Sequence, residues 1–161
     1  MDDIKTVLFQ NHIDRIENIL KRTQPEELKK AHKLKLKSAC GIVIKGNKIL
    51  LGLSNASDDR NGKWCFAGGG IDGDDEDCIS AAIRETYEEM GITTVAYLPT
   101  ILIHTSKPFL GFCVLTCDEL SEKIEMNEEF DEAGWFDINA LPEDIHPINA
   151  DLLKMVNVKE I

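Results

Sequence analysis

GIDGDDEDCISAAIRETYEEMGI occupies Gly70 to Ile92, and its second half carries the period of a helix. Ile79, Ala82, Ile83, Thr86 and Met90 fall on one face at 3.6-residue spacing, which predicts a helix over Cys78 to Met90. Gly91 follows, a residue type suited to the left-handed position just beyond a helix end. Glu85, Glu88 and Glu89 stand at i, i+3 and i+4, so a second face is acidic. Like charges at this spacing repel by roughly 0.2–0.5 kcal/mol per pair. The last turn of a helix is also partially negative and favours cations. Such a cluster is either a solvated acidic surface or a site whose compensation is missing from the chain itself. A hard divalent cation would supply that compensation, because Mg²⁺ prefers carboxylate and water oxygens.

The spacing around the cluster is informative. Gly70, five residues, Glu76, seven residues and then Arg84-Glu85-Thr86-Tyr87-Glu88-Glu89-Met90-Gly91-Ile92 resembles the signature of the Nudix (MutT-like) hydrolases. Every charged and glycine position of that signature is filled. Thr86 departs from it, standing where the family carries a bulky aliphatic, but it lies on the apolar face and leaves the acidic one intact. Ala67-Gly68-Gly69-Gly70 is similar to the family's Pro-Gly-Gly turn, with Ala67 in place of proline.

The resemblance implies a Nudix-type α/β/α sandwich with a mixed sheet. It further implies a Mg²⁺-dependent enzyme, with Mn²⁺ as a substitute, that cleaves a nucleoside diphosphate linked to a group X. The products would be a nucleoside monophosphate and phosphorylated X. Glu85, Glu88 and Glu89 would hold the metal, joined by the Gly69 carbonyl and Glu76. Glu88 or Glu89 would serve as general base, and Arg84 at i−4 from Glu88 would pin that side chain. A glutamate in the loop before Gly134-Trp135-Phe136 often completes such sites. Glu128, Glu129 and Glu132 qualify by position, with Glu129 preferred. Arg60, in the loop Asn55 to Gly62, is a candidate substrate contact beside Gly69 and Gly70. Its plain alternative is a solvent-facing loop arginine.

The nature of X is open. A nucleoside triphosphate and an ADP-ribose-like molecule both suit the short core, and Pro108 resembles a weak marker of the latter, although Lys107-Pro108 reads equally as a turn. A different class also stands: a Nudix-fold module that senses a nucleotide without hydrolysing it. Such modules lose signature carboxylates, and this chain retains them.

The rest of the chain sets bounds. Its 161 residues, 43% hydrophobic and 29% charged, suit one domain able to bury a core. A net charge of −11 argues against duplex nucleic acid and anionic membrane surfaces as partners, leaving a small-molecule nucleotide substrate. The amino terminus lacks a signal pattern, no apolar run reaches membrane-spanning length, and the five cysteines lack a CxxC pair, which predicts a reduced, cytoplasmic protein. None of the four histidines has ligand spacing.

Residues 2–22 have near-helical apolar spacing at Ile4, Leu8, Ile13, Ile16 and Leu20. Thr23-Gln24-Pro25-Glu26 then matches a capping box that starts a second helix. The division is therefore an N-terminal helical extension over 1–34 and a Nudix domain over 35–161. The extension has three candidate roles: covering the sheet, building a homodimer, or shaping the substrate pocket. From Lys37 the period changes to that of strands, with a hairpin turn at Gly46-Asn47. Further strands are expected over TTVAYLPTILIHT and FLGFCVLTC, and a closing helix from His146 to Val156.

Overall fold

The computed structural model describes residues 4–8, 36–73, 77–117 and 123–156. Its elements are β1 (Ile4–Leu8), β2 (Ser38–Lys45), β3 (Lys48–Ser54), β4 (Trp64–Cys65), β5 (Ala67–Gly70), α1 (Cys78–Met90), β6 (Thr94–His104), β7 (Leu110–Cys117), β8 (Phe130–Asp137) and α2 (Pro147–Met155). The strands form one mixed sheet in the order β1-β6-β7-β2-β3-β4. Only the β2–β7 pairing is parallel.

The β2–β3 hairpin turns at Gly46, whose φ of 60° is easy for a residue without a Cβ. Beyond Ile44 and Ile49 the two strands part. β8 runs along the outer side of β3, and the inner sides are filled by the chain from Trp64 to Gly70. That chain pairs first with β3 and then with β2. The splay brings the Gly68–Gly70 backbone to the sheet's surface beside α1.

Period-two alternation distributes the core over two faces. Ala39 and Val43 of β2, Leu50 of β3 and Cys113 and Leu115 of β7 pack under α1, against Ile79, Ala82 and Met90. Ile42, Ile44, Ile49, Leu51 and Phe112 point the other way, against Leu152 and Leu153 of α2. This is the α/β/α sandwich expected from the sequence. Trp64 stacks edge-on against Phe136 and Phe66 against Phe112, both on the α2 side.

Helix α1 begins where Asp77 accepts a hydrogen bond from the Ser80 N–H at 2.7 Å and ends at Gly91, with φ 70°. Thr86 is fully buried on its sheet side, and its hydroxyl donates to the Ala82 carbonyl at 2.7 Å. Below it lies Gly41, where an added Cβ would stand 2.7 Å from Thr86 Oγ1 and 2.8 Å from Leu115. The helix therefore rests nearly on the β2 backbone. We predict that Gly41→Ala costs about 1–3 kcal/mol by overpacking. Chemical denaturation checks this, and a midpoint equal to wild type would refute the close approach.

The first expected helix needs correcting. Ile4–Leu8 is an edge strand, paired antiparallel with Thr100–His104 of β6. Ile4, Thr6 and Val7 are β-branched and favour a strand. The exposed edge of β6 also offers them a complete hydrogen-bond ladder, which apolar spacing in one segment cannot reveal. The remainder of the expected extension, including the capping box at Thr23, lies outside the described residues. Among the described residues no helix is long and apolar enough to cross a membrane.

Candidate active site

The signature helix presents its glutamates to different surroundings. Glu89 lies four residues after Glu85 and faces the sheet, with only 2% of its surface exposed. Its Oε1 accepts the Gly68 N–H at 2.9 Å. Glu85 lies against the next residue, Gly69, where a Cβ would sit 2.5 Å from the Glu85 carboxyl carbon. Only glycine fits there without displacing that carboxylate. Glu88 points elsewhere, because adjacent helical positions differ by about 100°. Its side chain is 52% exposed and accepts from Arg84 Nη1 at 3.1 Å.

Arg84 binds this corner together. Nη1 also donates to Glu85 at 2.9 Å, and Nη2 donates to the Gly70 carbonyl at 2.9 Å while lying 3.4 Å from Asp72. One guanidinium thus fixes the start of the acidic loop against the helix. Glu76 lies outside the described residues.

Glu129 joins the cluster through the backbone. The carbonyls of Glu89 and Met90, left open at the end of α1, accept the N–H groups of Asn127 and Glu125 at 2.9 and 2.8 Å. The chain entering β8 is therefore laid across the helix terminus. Asn127 Oδ1 then accepts the Glu129 N–H at 3.0 Å, and Asn55 donates to the Glu128 carbonyl at 2.7 Å. These contacts put the Glu129 carboxyl within hydrogen-bonding reach of Glu89.

Burial, followed by that hydrogen bond with Glu129, pushes the Glu89 pKa up to about 9. Burial also raises the Glu85 pKa, with Arg84 opposing the shift. The chain alone therefore favours a protonated Glu89. A hard cation fits here: the available donors are all oxygens, and the Gly69 cradle leaves the Glu85 carboxylate against bare backbone. Among the described residues, no three acidic, histidine or cysteine side chains already close on one point at ligand spacing.

The glycine strand floors a cleft of about 600 Å³, within the range of small-molecule sites. Its walls come from Asp58–Arg60, Ser106–Leu110 and His146–Asn149. Arg60 lies in this wall, as the sequence suggested, but Asp58 clamps its guanidinium, with Nη2–Oδ2 at 2.7 Å. That arginine holds the Asp58 carboxyl below its usual range. His146 caps α2 through Nδ1, which accepts the Ile148 N–H at 3.2 Å. Nε2 consequently carries the proton and donates to Asp59 at 3.0 Å, tying the Arg60 loop to α2. Sequence spacing left His146 and Asn149 without a role, since their partners are 87 and 83 residues away. The proline just after His146 is the one local signal of a cap.

Comparison with known proteins agrees with this geometry. A family model of the NUDIX domain matches residues 35–156. An RNA pyrophosphohydrolase of Bartonella tribocorum is 33% identical over 126 residues, covering 63% of this chain and 72% of that protein. Among solved structures, a NUDIX hydrolase from Nitrosomonas europaea superposes with a TM-score of 0.59 at 18% identity, covering 76% of this chain and 69% of that one. An ADP-ribose pyrophosphatase from Streptococcus suis superposes at 0.53 with 22% identity, covering 73% and 89%. The two superpositions speak to the fold, and the family match and the Bartonella relative speak to descent. The chain belongs to the NUDIX domain family and is a hydrolase of pyrophosphate bonds.

Proposed function

We propose that the protein is a divalent-metal-dependent pyrophosphohydrolase that cleaves a nucleoside diphosphate linked to X into a nucleoside monophosphate and phosphorylated X. The observation that carries this reading is the buried Glu89 carboxyl, set between Gly68 and Glu129 at the floor of a nucleotide-sized cleft. Glu85, Glu89, Glu129 and the Gly69 carbonyl are the oxygens that would hold Mg²⁺ or Mn²⁺. When bound, such a cation supplies positive charge to the anionic diphosphate and acidifies water.

The chain's own groups divide the remaining work. Glu89 takes the proton of the attacking water as the water oxygen bonds to phosphorus and the bridging P–O bond breaks. Arg84 positions the reaction floor through Gly70 and Glu85 without reaching the reacting atoms. Lys107 and Arg60 in the walls attract the substrate's charged groups, which offsets the chain's net charge of −11 locally. A non-catalytic sensor is not favoured, because the complete carboxylate set remains and is assembled around the cleft.

Two substrate readings go into one test. Small nucleotides, either triphosphates or ADP-ribose-like, suit the cleft's volume. The Bartonella relative brings in a second, an RNA ending in a pyrophosphate linkage. The test is a panel of triphosphates, ADP-ribose, dinucleoside polyphosphates and 5′-phosphorylated RNA, with Mg²⁺ or Mn²⁺ and products identified by mass. Cleavage at a diphosphate of one class names X. A silent panel with nucleotide still bound would overturn the enzyme in favour of the sensor.

A further inference from the structure

Asn149 is a buried polar side chain in the cleft wall, 7% exposed, whose two ends have different fates. Its Oδ1 accepts the Phe66 backbone N–H at 2.9 Å. An N–H can only donate, so this contact fixes the orientation of the carboxamide and turns the NH₂ group away from Phe66. Among the described residues Nδ2 meets no acceptor. The one fully enclosed side-chain polar atom without a partner among these residues is Thr94 Oγ1. Nδ2 therefore retains access to the cleft, as a donor held in place with nothing to donate to. Leaving such a group unpaired beneath a bound ligand is costly, so the ligand should supply an acceptor.

The position of this donor says which part of the ligand it meets. The Phe66 N–H that holds Asn149 is two residues from the Gly68 N–H that holds Glu89. In extended chain that is about 7 Å. Phe66, Phe112 and Ile148 surround Asn149 and make its end of the cleft apolar. A nucleotide whose diphosphate lies at Glu89 would therefore place its base, not its phosphates, beside Asn149.

We propose that Asn149 is a specificity-determining residue that offers an NH₂ donor to the base edge and favours guanine over adenine. This rests on the nucleotide-hydrolase reading above. Guanine presents O6 and N7 side by side as acceptors, whereas adenine sets its N6 donor next to N7. A fixed NH₂ group meets two acceptors in the first case and faces a competing donor in the second. The carboxamide cannot flip to suit adenine, since flipping would set NH₂ against the Phe66 N–H.

The test compares GMP and AMP binding to the full chain by calorimetry without metal, for wild type and Asn149→Asp. The substitution keeps an oxygen for the Phe66 N–H and replaces the free donor by an acceptor. Wild type should bind GMP about tenfold tighter than AMP. The variant, with an unchanged melting curve, should lose or invert that ratio. Equal binding of GMP and AMP by wild type overturns the proposal, whether or not the variant folds. A GMP preference that survives in folded Asn149→Asp overturns the assignment to Asn149. Binding separates the two readings: a GMP preference without turnover of any nucleotide keeps this inference and removes the hydrolase, while turnover without base preference does the reverse.

Discussion

Glu89→Gln lowers kcat by about a thousandfold and leaves the melting temperature of the metal-free protein close to wild type. The loss follows from removing a proton acceptor and a charged oxygen from the reaction floor, within the range of about 10²–10⁴ for a positioned acid–base group. Stability is spared for a separate reason. With its pKa pushed up to about 9, Glu89 is already neutral near pH 7 in the metal-free protein. Glutamine matches that neutral form and still accepts the Gly68 N–H. Glu88→Gln is the control. Its exposed side chain touches only Arg84 among these groups, so kcat should stay within about tenfold of wild type. Steady-state rates and thermal melts on both variants check the pair. Equal damage from the two would place the base elsewhere on the helix.

Millimolar Mg²⁺ or Mn²⁺ raises the melting temperature, and the gain grows with pH. The sign follows from the carboxyls. Folding raises the Glu89 pKa from 4.5 to about 9, and Glu85 shifts the same way. The native metal-free protein thus prefers the protonated forms. The stability they contribute is complete below about pH 4.5 and is lost as pH climbs through about 9. A bound cation favours the ionised forms and restores what the rising pH removes. At a hundredfold excess over Kd the gain is about 2.7 kcal/mol. For a chain of this size that corresponds to about 5–10 °C. Melting curves from pH 5 to 9, with and without metal, measure it. Glu89→Gln should flatten the metal-free pH dependence. Curves indifferent to both cations at pH 8 would remove the metal site.

The parts of this architecture legible in sequence are those whose cause is local. The α1 period, its Gly91 end, the Gly46 turn and the glycine run at Gly68–Gly70 each follow from neighbouring residues. Thr86 was placed correctly on the apolar face, although nothing local announced that Gly41 would lie beneath it. What escaped reading depends on distant chain. The edge strand Ile4–Leu8 is a strand because β6 lies open to it. Glu129 could not be separated from Glu128 and Glu132 by position, since its placement comes from Asn127 and Glu125 reaching back to the end of α1. Arg60 was legible as a cleft residue, while its clamp to Asp58 and the Asp59–His146 tie to α2 required the fold. The acidic helix face was read as one patch of three. In space it divides, with Glu85 and Glu89 at the floor and Glu88 outside, because 100° per residue separates neighbours.

The floor beneath the substrate is almost bare backbone, from Gly68 to Gly70, whereas the walls are side chains borrowed from three separate connections. Such an arrangement separates the inheritance of chemistry from that of choice. Replacing a wall residue at 58–60, 106–109 or 146–149 alters which molecule is welcome and leaves the α1 core and its carboxylates untouched. Replacing a floor residue introduces a Cβ into the carboxylates themselves. Substrate preference in this lineage can therefore wander through wall substitutions of small stability cost, while the reaction stays under strict selection, and two relatives with matching floors can act on very different molecules.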